Sequence, residues 1–191
     1  MVTPRLVPLV QAAALLWTQT ATAANVVDQF VGRGRIQVLN ASDPFKTSLD
    51  ADRIGCINAV GQLTLSDCAV FNQLPPPATP FSLSSPAGNC TTQNPDMPVN
   101  SDSIYGRGTH AWWCGEQDDG MKHKEWYYTI NGWPAPFICS GEMRCLWDIK
   151  ANVPKEGDEL PVWQFFWGSQ QPDIEPGHWN VLLLWVPLDE E

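Results

Sequence analysis

The sequence predicts an all-β, disulfide-stabilised domain, built as a β-sandwich or a β-barrel. Three observations predict it. Short apolar or alternating runs recur along the chain with turn residues between them. No segment keeps a helical period over about 12 residues. Six cysteines lie downstream of an apolar leader, the arrangement of a disulfide framework.

The elements follow in order. Arg5 precedes an apolar stretch from Leu6 to Trp17, and Ala21-Thr22-Ala23 supplies a small-x-small cleavage pattern. An apolar run of about 12 residues is too short for a bilayer, which needs roughly 20. Residues 1–23 are therefore expected to be a signal peptide, and 24–191 a single secreted, extracellular domain with no membrane span. Gly34 to Leu39 alternates and reads as a strand. Ile54 to Ile57 and Leu63 to Leu65 read as hairpin arms clasped by Cys56 and Cys68, with Ala69 to Phe71 extending the second arm. Leu74-Pro-Pro-Pro-Ala-Thr-Pro80 cannot join a sheet ladder and reads as a stiff linker. Strand character resumes at Phe81 to Ser85. Gln93 to Ser103, rich in Asn, Asp and Pro, reads as a loop.

The second half is aromatic. Ala111 to Cys114, Glu125 to Ile130, Leu160 to Trp167 and Trp179 to Val186 all read as strands. In the last, both alternating faces are apolar apart from Asn180, so a central strand buried on both sides is expected. Met143 to Asn152 comes closest to a helical pattern.

All six cysteines (Cys56, Cys68, Cys90, Cys114, Cys139 and Cys145) lie in the mature part. They admit fifteen pairings, and the sequence does not select among them. Nearest-neighbour pairing is the expectation adopted: Cys56–Cys68, Cys90–Cys114 and Cys139–Cys145. The close Cys/His pairs of a zinc site are lacking, and no metal or cofactor is expected. Asn40-Ala-Ser42 and Asn89-Cys-Thr91 are N-glycosylation sequons.

Without Arg5, ten basic residues face 21 acidic ones, a net charge near −11. Nucleic-acid binding draws much of its affinity from phosphate neutralisation by Lys and Arg, so a nucleic-acid partner is not expected. Anionic membrane surfaces are disfavoured on the same ground. A neutral glycan carries no such penalty.

The histidines are His110, His123 and His178. They fit no fixed ligand or catalytic spacing and are expected in exposed loops; a metal or acid/base pair of His110 and His123 stays open if adjacent strands bring them together. Glu116, Asp118, Asp119 and Glu125 cluster without the ordered spacing of a calcium loop; a solvated turn is expected there. They also leave open a pair of glycosidase carboxylates. Nine tryptophans remain after residue 23. Most are expected in the core, with two or three exposed as flat faces on which sugar rings or bases stack. The candidate binding residues are Trp112, Trp113, Trp126 and Trp133. Neighbours on a strand point to opposite faces, so one of Trp112 and Trp113 should face out. Trp133, in the turn Asn131-Gly-Trp-Pro134, is also expected to be accessible.

One longer pattern stands out. Gly32-Arg-Gly-Arg-Ile-Gln-Val38, Gly55-Cys-Ile-Asn-Ala-Val-Gly61, Asp67-Cys-Ala-Val-Phe71 and Phe81-Ser-Leu-Ser-Ser-Pro-Ala-Gly-Asn-Cys90 occur in register. This run resembles the C-terminal accessory domain of fungal secreted ribonucleases of the T2 family. Glu156 to Gly168 and the last strand are more loosely similar to its closing strands. The region with Cys139 and Cys145 departs from the family's pattern. The resemblance implies a non-catalytic accessory module standing without its enzyme. The catalytic domain's motifs look like His-Gly-Leu-Trp-Pro and His-Glu-Trp-x-Lys-His-Gly. Thr129-Ile-Asn-Gly-Trp-Pro134 has Asn131 where the first motif needs its histidine, and Asn cannot shuttle a proton at neutral pH.

The expectation is a secreted, non-enzymatic binding module for extracellular or cell-wall polysaccharide, held through exposed aromatics. The alternatives are an effector-like protein that binds a host or competitor protein, and a hydrolase with an unrecognised site.

Overall fold

The computed structural model of the protein describes residues 26–27, 30, 32–73, 83–116, 125–171 and 173–188. The expected signal peptide, the Pro-rich linker, Phe81, Asp118, Asp119 and His123 lie outside the described residues. The strands in chain order are β1 (Val26–Val27), β2 (Gly32–Leu39), β3 (Arg53–Ile57), β4 (Leu63–Thr64), β5 (Phe71–Gln73), β6 (Leu83–Ser85) and β7 (Gly88–Thr91). They continue with β8 (Trp113–Gly115), β9 (Tyr127–Ile130), β10 (Cys139–Ser140), β11 (Trp147–Lys150), β12 (Trp163–Gln164) and β13 (His178–Pro187). One 3₁₀ turn spans Gly106–Gly108.

The class is all-β, as expected. One antiparallel sheet runs β12-β11-β13-β2-β5-β6-β7-β8, with β3 paired to β2 and β4 to β3; a smaller sheet runs β1-β9-β10. The large sheet curls until its ends approach. The Trp112 N–H, entering β8, donates to the Val162 carbonyl, entering β12, at 2.7 Å, and Leu63 exchanges backbone bonds with Leu160 at 2.9 Å. Curling of this kind shields edges that would otherwise template aggregation.

β13 is central, and both of its faces are buried. Val181, Leu183 and Trp185 join the main core with Ile36, Val38, Trp112 and Trp147. Leu182 and Leu184 pack the other way against Leu39, Ala135 and Phe137. On one side β13 pairs with β2; on the other it pairs with β11 and then with the segment before β10, where the Ile138 N–H donates to Leu183. Close approach there demands a glycine: a Cβ on Gly34 would sit 2.5 Å from the Trp185 ring.

The three disulfides are Cys56–Cys68, Cys90–Cys114 and Cys139–Cys145, the nearest-neighbour set. The structure departs from expectation at Met143 to Asn152. It is not helical: Trp147–Lys150 forms β11, paired to both β12 and β13. Trp147, Asp148 and Ile149 are all buried, which a one-sided helix would not allow. β7 was also not expected. It begins at Gly88, whose φ of 135° and whose contact with the Gly115 backbone both exclude a side chain.

Candidate functional site

β9 ends in the turn at Asn131-Gly-Trp-Pro134, where Gly132 supplies a φ of 88°. β10 returns alongside β9 and runs into a tight reversal closed by paired backbone bonds between Ser140 and Arg144. The Cys139–Cys145 bridge ties the ends of that reversal. Its tip holds Met143 at φ 55°, a left-handed conformation unusual for a residue with a side chain. β12 then delivers Phe165, Phe166 and Trp167 to the same place.

Between these pieces lies a cleft of about 550 Å³. Trp133, Phe166 and Trp167 line it, over buried Ile130, Cys145 and Phe165. Trp167 is 73% exposed and Met143 63% exposed. Trp133 is held edge-on between Phe45 and Phe137, with ring centroids 6.2 Å away in each case. Its own face is therefore fixed before any ligand arrives. The Arg144 guanidinium lies 4.3 Å over the Phe166 ring, and one of its N–H groups donates to Gln164 Oε1 at 3.4 Å. Glu142 lines the same cleft, so its two charged side chains cancel.

A smaller cleft of about 170 Å³ shares Arg144 and is lined by Trp126, Glu125, Thr92 and Gln164. Trp126 is 53% exposed. The Glu125 carboxylate accepts from the Thr91 hydroxyl at 2.9 Å, the Thr92 N–H at 2.8 Å, the Thr92 hydroxyl at 3.0 Å and the Tyr127 hydroxyl at 2.6 Å. Burial, followed by the Glu125 charge, pushes the Tyr127 phenol well above its ordinary range. With both oxygens engaged, Glu125 braces β7 against β9 and is poorly placed as a free acid, base or metal ligand.

A second polar group lies beneath β11 and β13. His178 Nδ1 meets Asp148 Oδ1 at 2.6 Å, and Nε2 meets Asp102 Oδ2 at 3.2 Å. The Asn100 amide donates to Asp148 at 2.6 Å and to Glu175 at 2.8 Å, and the Gln171 amide donates to Glu175 at 2.6 Å. Lys150 donates to Asp102. Trp163 packs over the imidazole at 6.1 Å. Burial drives the Asp148 carboxyl up to about 7. Lys150, and then His178, hold Asp102 down at about 2. Ligand atoms of Asp148, Glu175 and His178 lie within 4.8 Å of one another. These atoms are already hydrogen-bonded and buried, so the group pins the 94–108 loop to β11 and β13.

The sequence-derived candidates fall in different places. Trp112 is 1% exposed at the centre of the core, stacked on Phe71 and tilted against Tyr127 and Trp147, and is closed to any ligand. Its neighbour Trp113 is half-buried on the sheet surface. Trp133 lines the larger cleft and Trp126 the smaller. His178, expected in an exposed loop, is buried: the carboxylates of Asp102, Asp148 and Glu175 and the Trp163 ring surround it. His110 is half-buried, with Nδ1 2.8 Å from the Met97 carbonyl. Asn40 is exposed, and Asn89 is half-buried within β7. Phe166, Trp167, Met143 and Arg144 were not among the candidates. The adjacent run Gln164-Phe-Phe-Trp167 is the signal available in the sequence, and it reads there as part of a strand.

Comparison with known families, curated proteins and solved structures finds no match for this chain. The likeness to the ribonuclease accessory domain rests on the residues quoted above alone.

Proposed function

We propose that this chain is a secreted, non-catalytic binding module of the kind its resemblance to the T2 accessory domain implies. Its ligand is an extracellular or cell-wall polysaccharide held in the larger cleft. One observation carries the reading: Trp133, Phe166 and Trp167 converge on a single cleft of about 550 Å³ beside the disulfide-closed reversal. Flat aromatic faces suit the apolar C–H faces of sugar rings. The net charge of −10 disfavours phosphate-rich ligands and leaves neutral polymers. Asn131 in place of a catalytic histidine supports a binding role rather than ribonuclease chemistry.

The test is titration of the purified protein with chitin, β-glucan and mannan fragments and with a short single-stranded RNA, read by tryptophan fluorescence and by product analysis for cleavage. A saturable shift with a glycan, lost in Trp133→Ala and Trp167→Ala, is the expected result. Silence with every glycan overturns the reading, and cleavage overturns its non-catalytic part.

A second reading is favoured by the solvent-exposed side chains around the cleft. Phe45, Met143 and Trp167 are all more than half exposed. Apolar side chains grouped in this way serve as hot spots for a protein partner. An effector-like protein would then use the same face, and a protein ligand displaced by Trp167→Ala would identify it.

A further inference from the structure

We infer that the larger cleft reads an acetamido group, so that the polysaccharide it takes is built of N-acetylated sugars. This rests on the glycan reading above. The floor of the cleft is apolar, and the polar side chains that line it are Ser42, Glu142 and Arg144. Ile130, Leu146 and Phe165 offer no polar side-chain atom, and a hydroxyl pressed against them leaves water without a replacement partner. An acetamido substituent has the complementary pattern: a methyl group for that apolar floor, and an amide carbonyl that needs a donor.

Arg144 is placed to be that donor. Its guanidinium carbon lies 4.3 Å from the Phe166 ring centroid, and one N–H donates to Gln164. A guanidinium has five N–H donors in a fixed plane, so donors remain for the ligand. Glu142 lines the same cleft, and the paired charges leave no net attraction for a carboxylate or phosphate. A neutral carbonyl acceptor fits this balance better than an anion. Met143 adds a flexible, polarisable side chain at the rim, suited to closing over a methyl group.

The experiment compares the hexasaccharide of β-linked N-acetylglucosamine with cellohexaose, two chains that differ in the acetamido group. Affinities are measured by calorimetry and tryptophan fluorescence on the wild type, Arg144→Met, Arg144→Lys and Trp167→Ala. The wild type should bind the acetylated chain at least about tenfold more tightly. Arg144→Met should bring that preference down to about twofold while moving cellohexaose binding less than about twofold. Arg144→Lys keeps the stem and the charge without the planar fork, and should lose most of the preference too. Trp167→Ala should weaken both ligands alike. Equal binding of the two hexasaccharides, or full preference in both Arg144 variants, overturns the inference and leaves the glycan reading standing. Binding of neither hexasaccharide, nor of any other glycan, overturns both.

Discussion

Replacing Asp148 by Asn should abolish a specific pH dependence of stability. The Asp148 carboxyl sits beneath β11 and β13 with its ordinary value of 3.8 raised to about 7, chiefly by burial. Between those values the folded chain keeps the proton and the unfolded chain releases it. The folded state therefore binds more protons, and its stability falls as pH rises. The contribution is complete below about pH 4 and gone once pH passes about 7. One proton changes stability by at most about 1.4 kcal/mol per pH unit, so the full window is worth about 4 kcal/mol. Asp102 works in the opposite sense at lower pH. Held at about 2 by Lys150 and His178, it stabilises above its ordinary value, and that support is lost as pH falls towards 2. Measurements above about pH 4.5 leave it out. The assay is urea unfolding with the disulfides intact, followed by tryptophan fluorescence, on wild type and Asp148→Asn across about pH 4.5 to 8.5. The wild-type stability minus that of the variant should decline from about pH 4.5 to about pH 7 and level off above it. Taking the difference cancels the general repulsion of an acidic chain, which also grows with pH. A difference that is flat, or that rises with pH, refutes the reasoning.

Other variants test the division between core and cleft. Trp112→Ala should cost about 3–5 kcal/mol in denaturant unfolding, because it empties a site packed by Phe71, Tyr127 and Trp147. Trp167→Ala should change stability by no more than about 0.5 kcal/mol, since the ring is largely in water, yet remove glycan binding. Met143→Gly relieves a left-handed backbone position and should stabilise by up to about 1 kcal/mol, while weakening any ligand that contacts the rim. Gly34→Ala should destabilise by about 1–3 kcal/mol, with Trp185 forced from its place and a blue or red shift of its emission as the second readout.

Local patterns made the strands legible. β2, β3 and β13 announced themselves by alternation or by a continuous apolar run, and the short spacing from Cys56 to Cys68 fitted a clasped hairpin. The misreading at Met143 to Asn152 has a physical cause. β11 is buried on both faces between β12 and β13, so its side chains, Asp148 among them, carry no alternation. His178 misled for the same reason: only the fold brings Asp102 and Asp148 to its two nitrogens, from 76 and 30 residues away. The cleft was half legible. Trp133 was marked by its turn, whereas Trp167 and Arg144 become neighbours of it only through long-range pairing.

The buried polar group and the cleft are linked through one short edge strand. β12 pairs Trp163 with Asp148 and Gln164 with Trp147. Trp163 packs on His178, while Gln164 receives Arg144, and the next three residues line the cleft. Neighbouring residues on a strand point to opposite faces, so β12 meets the buried polar group through Trp163 and the cleft-lining Arg144 through Gln164. An edge strand of two paired residues has little stability of its own and is held by what packs on it. Loss of the Asp148 proton therefore removes support from the strand that positions Arg144 and Trp167. Glycan affinity in the wild type should decline over the same pH window as stability, and in Asp148→Asn it should not. An affinity that stays level while stability falls would mean that the cleft is held by the Cys139–Cys145 reversal alone, and that β12 follows it passively.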